Sequence, residues 1–377
     1  MGEREPGQKQ LPPELDTEAR SNAIRLSGWE WVGVGLFAVL LIVAGPRLWK
    51  MFEKFDLEPD YRIPKDLSND YWLYDRYMEL AAAHYDTLVV GDSVVWGEYV
   101  RRDQTLSHYL NEQAGRDGFA NAGLDGTHPA ALAGLLEFYG AGIKGKKVVL
   151  HCNPLWLSSP KADLRVEDAN FNHPRLVPQF VPPIPSYPLE REKISQRLGI
   201  VVEQRAPFEG WTAHLQQAYY RDPSDLPIDI PTWTLHHPYD NPLKPLTRGL
   251  PPSDFRLHAE PITWTARGIS KQDYPWVDLD GSLQWQSFQR SVEMLRRRGN
   301  QVFVLVGPFN EHLLSAKSVP EYQKVKGRIE AWLKQKNLPY LAPPALASDL
   351  YADASHPLAA GYARLAQQVL KSLPSGW

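Results

Sequence analysis

The sequence predicts a doubly wound α/β protein, with a parallel β-sheet between two layers of helices, behind an N-terminal membrane-spanning helix. One observation predicts the sheet and its helices. Short apolar runs alternate with amphipathic stretches over residues 87–151 and 283–372, and such alternation is typical of βαβ units, whose strands run parallel. A second observation, one uncharged apolar segment near the N-terminus, predicts the membrane helix.

The chain begins with a polar arm, residues 1–28, and continues into an uncharged apolar run over residues 31–46. Trp29 and Leu48 can extend this run into the bilayer interfaces, so the predicted anchor, residues 29–49, is close to the ~20 residues that a spanning helix needs. No small-residue cleavage pattern follows, so we expect an uncleaved single-pass anchor rather than a signal peptide. Basic residues on its two sides are balanced, so charge does not orient it.

The remaining elements follow from the hydrophobic period of each segment. Strands are predicted at residues 87–90, 118–122, 147–151, 301–306 and 338–341. Helices are predicted at residues 104–114, 128–139, 283–298, 321–336 and 357–372. Residues 50–84 are expected to connect the anchor to this domain, which spans residues 85–377.

An insertion at about residues 158–280 interrupts the alternation. Because 18 of the chain's 33 prolines lie between residues 160 and 275, long helices are expected there only near residues 189–204 and 211–220. Two interpretations stay open: a structural cover for one face of the sheet, or a lid whose aromatic rings pack on a sugar or an acyl chain. Three tryptophans are the candidates for such contacts: Trp211, Trp233 and Trp264.

Composition argues against several function classes. The 377-residue chain has a formal net charge of −3, so no nucleic-acid partner is expected. Cys152 is the single cysteine, which excludes an intramolecular disulfide and a cysteine-based zinc site and favours a small buried hydrophobe. His173, His236 and His237 have no carboxylate or cysteine at ligand spacing, so we expect no metal, and no cofactor is expected.

Polar segments follow three of the predicted strands: Gly-Asp-Ser at residues 91–93, Asn-Ala-Gly-Leu-Asp-Gly at 121–126 and His-Cys-Asn-Pro at 151–154. A fourth segment, Asp-Ala-Ser-His at residues 353–356, precedes the last helix. Sites of open α/β sheets form at the carboxyl ends of the strands, so we expect the four segments at one edge. Serine, histidine and aspartate together can form a nucleophile, a base and an orienting carboxylate.

These four segments resemble the four sequence blocks of the SGNH (GDSL-type) hydrolase family, and the resemblance implies that family's flavodoxin-like fold. In the family, the blocks supply a nucleophilic serine, a glycine N–H, an asparagine side chain, and an aspartate with a histidine. The resemblance implies that Ser93 is the nucleophile, His356 the base and Asp353 its orienting carboxylate. It also implies an oxyanion hole made by the N–H groups of Ser93 and Gly126 and the side chain of Asn153.

The third block departs from the family pattern, because Asn153 stands between Cys152 and Pro154 where the family has Gly-x-Asn-Asp. Trp96 and His128, which follow the first and second blocks, are expected to line the substrate pocket. Histidines at positions 128, 151 and 312 are alternatives for the base.

The Gly-Asp-Ser-Val-Val-Trp-Gly string at residues 91–97 and the anchor are most similar to membrane-tethered family members that move acyl groups on or off cell-surface polymers. This similarity implies a membrane-anchored serine esterase or O-acyltransferase with an extracytoplasmic catalytic domain. Its substrate would be an acyl ester of a polysaccharide or lipid, and a membrane-bound acyl-donor protein would be its partner. Two alternatives stay open: a non-catalytic glycan-binding or assembly component that retains the fold, and a lipase that faces the cytoplasm.

Overall fold

The computed structural model describes residues 26–53, 55, 57–166, 171–180, 194–219 and 261–377. Three residues discussed above, Trp233, His236 and His237, lie outside these ranges, as do residues 1–25 of the predicted arm. The chain divides into two units, Met1–Leu48 and Trp49–Trp377, and the second unit is called the body below.

Five parallel strands and ten α-helices form the regular structure of the described ranges. The strands are β1 (Thr87–Gly91), β2 (Phe119–Gly123), β3 (Lys147–Cys152), β4 (Gln301–Val306) and β5 (Tyr340–Leu341). The helices are α1 (Gly28–Phe52), α2 (Tyr71–His84), α3 (Ser93–Trp96), α4 (Leu106–Ala114), α5 (Pro129–Tyr139), α6 (Ile194–Arg205), α7 (Pro207–Tyr219), α8 (Leu283–Arg297), α9 (Ser318–Gln335) and α10 (Ala359–Ser372).

The five predicted strands are confirmed, with ends that differ by at most two residues. The helices predicted over residues 104–372 outside the insertion are also confirmed, and α9 begins three residues earlier than predicted because Pro320 is tolerated in a first helical turn. Within the insertion, α6 and α7 correspond to the two expected helices, although residues 189–193 lie outside the described ranges.

The sheet has the strand order β2-β1-β3-β4-β5, and its pairs are all parallel. Val89 of β1 pairs with Asn121 of β2 on one side and Val149 of β3 on the other. Because β1 and β3 are neighbours without being consecutive, the winding reverses between them. In open α/β sheets a crevice opens at such a switch point, outside the carboxyl ends of the strands. Ser93 and Asn153 follow these two strands.

Helices cover both faces of the sheet, as the sequence predicts. Alternate strand residues enter two separate apolar clusters, because successive side chains of a strand point to opposite faces. Val90 and Leu150 belong to the larger cluster, which contains residues of α2, α5, α8 and α9. Val89 and Val149 belong to the second cluster with residues of α4 and α10. Cys152 is buried in the larger cluster, so its prediction as a small buried hydrophobe is confirmed.

Helix α1 is the single described helix long and apolar enough to cross a membrane. It extends the predicted anchor, residues 29–49, by one residue at its start and three at its end. Its apolar side chains are largely exposed, which distinguishes it from the core helix of a soluble domain. An N-terminal helix of this kind is suited to anchoring the chain in a membrane.

The interpretation of residues 50–84 as a connector is wrong, because they form part of the core of the body. Tyr74 and Tyr77 of α2 are fully buried against the sheet. The Tyr74 hydroxyl donates to the carbonyl of Ala122 at 3.1 Å, and the Tyr77 hydroxyl donates to that of Asn121 at 3.0 Å. Tyrosines give a segment a polar character in sequence, while in the fold their rings are buried and their hydroxyls find carbonyl partners.

A buried ionic cluster joins three separate parts of the body. His214 of α7 contacts Asp70 through Nδ1 at 2.7 Å and Glu53 through Nε2 at 2.8 Å, and each of the three side chains is at most 3% exposed. Burial lowers the pKa of His214, but the two carboxylates outweigh it and raise this pKa to about 10. The imidazole is therefore a cation at neutral pH. It ties the insertion to α2, which Asp70 caps, and to the segment that follows α1.

We predict that His214→Gln lowers the free energy of unfolding by about 3–5 kcal/mol, because it leaves two buried carboxylates without their cation. The pKa of His214 rises from about 6.5 in the unfolded chain to about 10 in the folded one. Protonated His214 therefore stabilises the fold fully below pH 6.5, and this stabilisation is lost as the pH rises through about 10. Denaturant unfolding of the detergent-solubilised chain should therefore show a deficit that is largest near pH 6 and shrinks in alkali.

His84→Gln is the matched control, because His84 is an exposed histidine of α2 and its substitution should change stability by less than about 0.5 kcal/mol. A deficit of His214→Gln that stays constant between pH 6 and pH 10 would exclude His214 as the buried cation.

Candidate active site

Three side chains from opposite ends of the chain meet beyond the carboxyl edge of the sheet. The Oγ of Ser93 lies 2.9 Å from Nε2 of His356. The Nδ1 of the same imidazole lies 2.8 and 2.9 Å from the two carboxylate oxygens of Asp353. Serine, imidazole and carboxylate are thus in a continuous line of hydrogen bonds, the arrangement in which a base can activate a hydroxyl.

Local geometry places each member of this line. Ser93 is the first residue of α3, directly after β1, and Asp92 caps that helix by accepting from the N–H of Val94 at 3.0 Å. At the other end, Oδ1 of Asp353 accepts from the backbone N–H groups of Ser355 and His356, both at 2.9 Å. This tight turn explains the three-residue spacing, because it folds the imidazole back over the carboxylate.

The close approach of the turn that carries Ser93 to its neighbours requires a glycine at position 91. A Cβ atom there would lie 2.6 Å from the Cβ of His151 on β3 and 2.6 Å from a methyl group of Val95. Any larger residue would push α3 away from the sheet. Gly91 therefore lets the serine turn sit directly on β3.

The electrostatics of the pair favour a basic imidazole at His356. Burial lowers the pKa of His356, but the hydrogen bonds and charge of Asp353 outweigh it, and the pKa lies above its ordinary value. Burial raises the pKa of Asp353, but bonds from the imidazole and two backbone N–H groups bring it below its ordinary value. Because the ionised Asp353 accepts the proton of Nδ1, the lone pair of Nε2 faces the hydroxyl of Ser93.

Asp92 connects several elements of the site through hydrogen bonds, in addition to capping α3. Its carboxylate accepts hydrogen bonds from four groups: Val94 N, His151 Nδ1, Asn153 Nδ2 and Trp156 Nε1. It is 4% exposed. Burial raises its pKa, but His151, Asn153 and Trp156 lower it well below the ordinary value of aspartate. The buried charge is therefore held by its donors.

The predicted oxyanion donors have different surroundings. Asn153 donates one amide N–H to Oδ2 of Asp92 at 2.7 Å, and its oxygen accepts from the N–H of Leu155 at 3.0 Å. An amide group carries a second N–H, which these two bonds do not use. Gly126 has a positive φ of 69°, and the side chain of Asn172 fills the space that a Cβ would need. A residue other than glycine would be strained at this position.

The structure contradicts the assignment of Trp96 and His128 to the lining of a substrate pocket, because both are fully buried. The indole N–H of Trp96 donates to the carbonyl of Ile63 at 2.7 Å. His128 caps α5, and its ring nitrogens contact Gln284 and the carbonyl of Asn172. Both residues adjoin the serine and glycine blocks in sequence, but their side chains point into the core and are not exposed at the site.

The histidines considered as alternative bases also have other partners. His151 binds Asp92 at 3.0 Å, and Nε2 of His312 lies 2.9 Å from the carbonyl of Leu346. Burial lowers the pKa of His128 to about 4. Among the described residues, His356 is the imidazole in contact with Ser93.

Two of the three insertion tryptophans serve as packing residues. Trp264 is buried in a cluster with Leu313 and Tyr351, under the turn that carries Asp353. Trp211 packs edge-on against Phe208 and, with ring centroids 6.1 Å apart, against Trp49. These contacts favour the interpretation of a structural cover for this part of the insertion.

Sequence reasoning missed the loop that covers His356. Tyr99 has a positive φ of 65°, an uncommon conformation for a bulky residue, and its ring meets the imidazole of His356 edge-on at 5.5 Å. The Arg267 guanidinium lies 4.6 Å from the Tyr99 ring centroid. Arg62, which is fully buried, donates to the carbonyls of Trp96, Gly97 and Val100 and so holds this loop.

A second group of charges lies in the same loop region. Lys65 contacts Glu98 at 2.7 Å and Asp125 at 3.8 Å. Burial and the charge of Glu98 raise the pKa of Asp125 to about 6, against the opposing effect of Lys65. Asp125 directly precedes Gly126, so a carboxyl group that titrates near neutral pH adjoins one of the predicted oxyanion donors.

Neither a scan against protein-family models nor a search of curated proteins gives a match to this chain. The functional roles of these residues therefore depend on their geometry and on the four-block resemblance.

We predict that Asp353→Asn lowers the pKa of His356, because burial then acts without its main opposing carboxylate. Side-chain histidine NMR of the ¹⁵N-His-labelled chain measures this pKa directly, and in the unsubstituted protein it should lie above 6.5. A His356 pKa that is unchanged in Asp353→Asn would assign the shift to other carboxylates.

Proposed function

We propose that this chain is a membrane-anchored serine esterase or O-acyltransferase of the SGNH (GDSL) type. The observation that carries the proposal is the line from Ser93 through His356 to Asp353, closed by contacts of 2.8–2.9 Å. The parallel sheet gives further support, because its order 2-1-3-4-5 is that of flavodoxin-like doubly wound folds. The reacting serine would stand at the switch point, where such folds bind their ligands.

In the proposed mechanism, Oγ of Ser93 attacks the acyl carbon while its proton passes to Nε2 of His356. Asp353 stabilises the imidazolium that forms. The tetrahedral intermediate collapses as the imidazolium returns the proton to the leaving alcohol, and the acyl group stays on Ser93. Water or a second hydroxyl, deprotonated by His356, then attacks the acyl-enzyme and releases Ser93.

The negative charge of the tetrahedral intermediate needs preorganised donors. The N–H of Ser93 is available because the first N–H groups of a helix have no acceptor within it. Gly126 would supply a second N–H, and Asn153 would supply the amide N–H that Asp92 leaves unused. Each such donor is worth about 3 kcal/mol in the transition state.

The helix α1 that precedes the body supports a substrate at a membrane surface. A body that follows a helix suited to a membrane acts on molecules at that surface, so we favour acyl esters of a cell-surface polysaccharide or lipid. An acyltransferase would receive its acyl group from a membrane-bound donor protein, and its body would face the extracytoplasmic side. Protease protection of the body in intact and inverted membrane vesicles tests that orientation.

We predict that Ser93→Ala and His356→Ala each abolish labelling by a fluorophosphonate probe and nearly all turnover of p-nitrophenyl acetate. The double variant should lose little more than either single variant, because the two groups act as one unit. Ser372→Ala, an exposed serine of α10, is the matched control and should label fully. A folded chain that the probe does not label would instead favour a non-catalytic binding component.

We predict that Asn153→Ala lowers kcat about 10² to 10³-fold with little change in KM, because its bond strengthens only as charge develops on the oxyanion. Asp92→Asn should lower kcat by less, since it loosens the orientation of Asn153. Trp156→Phe removes a different donor from Asp92 and should leave kcat nearly unchanged. A change confined to KM would assign Asn153 to substrate binding.

A further inference from the structure

One face of α6 carries an exposed apolar stripe. Ile194, Leu198 and Val202 are four residues apart, so they share one face of the helix, and they are 70, 52 and 57% exposed. Phe180, 45% exposed, has its ring 4.0 Å from the guanidinium of Arg197 on this helix. Exposed apolar side chains in a continuous row are uncommon on the surface of a soluble domain and mark a contact surface.

The other side of α6 is attached to the body. Gln204 is buried and donates from Nε2 to the carbonyl of Arg175 at 2.7 Å. Arg197 donates to Oε1 of Gln179 at 3.0 Å. The orientation of the helix is therefore set by polar contacts on its inner side, and the apolar stripe faces outward.

Contacts within the body connect α6 to the point where the chain leaves α1. A single residue, Ala206, separates α6 from α7, and the two helices pack together. In α7, Trp211 contacts Trp49, and His214 binds Glu53 at 2.8 Å. Helix α7 thus packs against α6 and also contacts residues 49–53, and packed helices lie about 8–10 Å apart. A single helix therefore separates α6 from the residues that directly follow the apolar segment.

The charge beside the stripe fits a phospholipid surface. Arg205 is exposed and ends α6 one turn after Val202. An apolar face with a basic residue at its edge is typical of helices that lie in a bilayer interface, where long basic side chains reach the head groups.

We infer that the α6 stripe lies on the surface of a phospholipid bilayer and gives the body a membrane contact of its own, in addition to the anchor α1. The inference rests on the proposed membrane anchoring. An exposed row of large apolar groups on a body that is held at a membrane avoids water by entering the interface, which also restricts how the body can turn about its anchor.

Site-specific fluorescence tests this inference in the full chain. Cys152 is the single cysteine and is buried, so an environment-sensitive probe labels Leu198→Cys selectively. Gln196→Cys is the matched control, because this exposed position lies on another face of the same helix. Leu40→Cys, within α1, reports whether the anchor inserts. Each labelled chain is reconstituted in vesicles of phosphatidylcholine and phosphatidylglycerol, with and without acyl-chain nitroxide lipids as quenchers.

We expect the label at position 198 to be blue-shifted and quenched by the nitroxide lipids several-fold more than the label at position 196. A label at position 198 that is blue-shifted but not quenched would mean that protein, from this chain or a second copy, covers the stripe, and the inference would be wrong. Equal quenching at the two positions would also overturn it.

The outcome at Leu40 separates this inference from the proposed anchoring. Quenching at position 40 without quenching at position 198 overturns the α6 contact and leaves the anchor standing, whereas no quenching at position 40 overturns both. Val202→Cys repeats the measurement on the same stripe, so a folding defect of one labelled variant does not decide the result.

Discussion

The arrangement of the site depends on one buried carboxylate. Asp92 stands between β1 and β3, and the donors around it come from α3, from β3 itself and from the loop after β3. An isolated carboxylate in such a position would be costly to bury, so the structure is stable only when these donors surround it. The requirement to satisfy this charge therefore aligns the serine turn with Asn153.

The same carboxylate affects the electrostatics of His356. The charge of Asp92 adds to that of Asp353 in raising the pKa of His356, so two carboxylates favour its imidazolium form. In the proposed mechanism this would favour proton transfer from Ser93. The negative charge of Asp92 would oppose an oxyanion, and its contacts with His151 and with the amide of Asn153 act against that effect.

Much of the fold could be predicted from the sequence because the strands are short runs of β-branched and apolar residues with helical periods between them. The line from Ser93 to Asp353 was accessible for the same reason, since its members follow strand ends or precede a helix. The role of Asp92 was missed because three of its four partners lie about 60 residues downstream, in β3 and the loop after it. Trp96 and His128 were misassigned because nearness to a motif in sequence does not indicate which way a side chain points.

The buried position of Arg62 has a consequence for any attempt to obtain the body without α1. Arg62 belongs to the segment that the sequence predicts as a connector, yet its guanidinium holds the loop that brings the Tyr99 ring against the imidazole of His356. Glu53 lies earlier still and pairs with His214. A shortened form that starts at the first strand would lose both contacts, so a form that keeps them, together with the packing of Trp49 on Trp211, has to begin no later than Trp49.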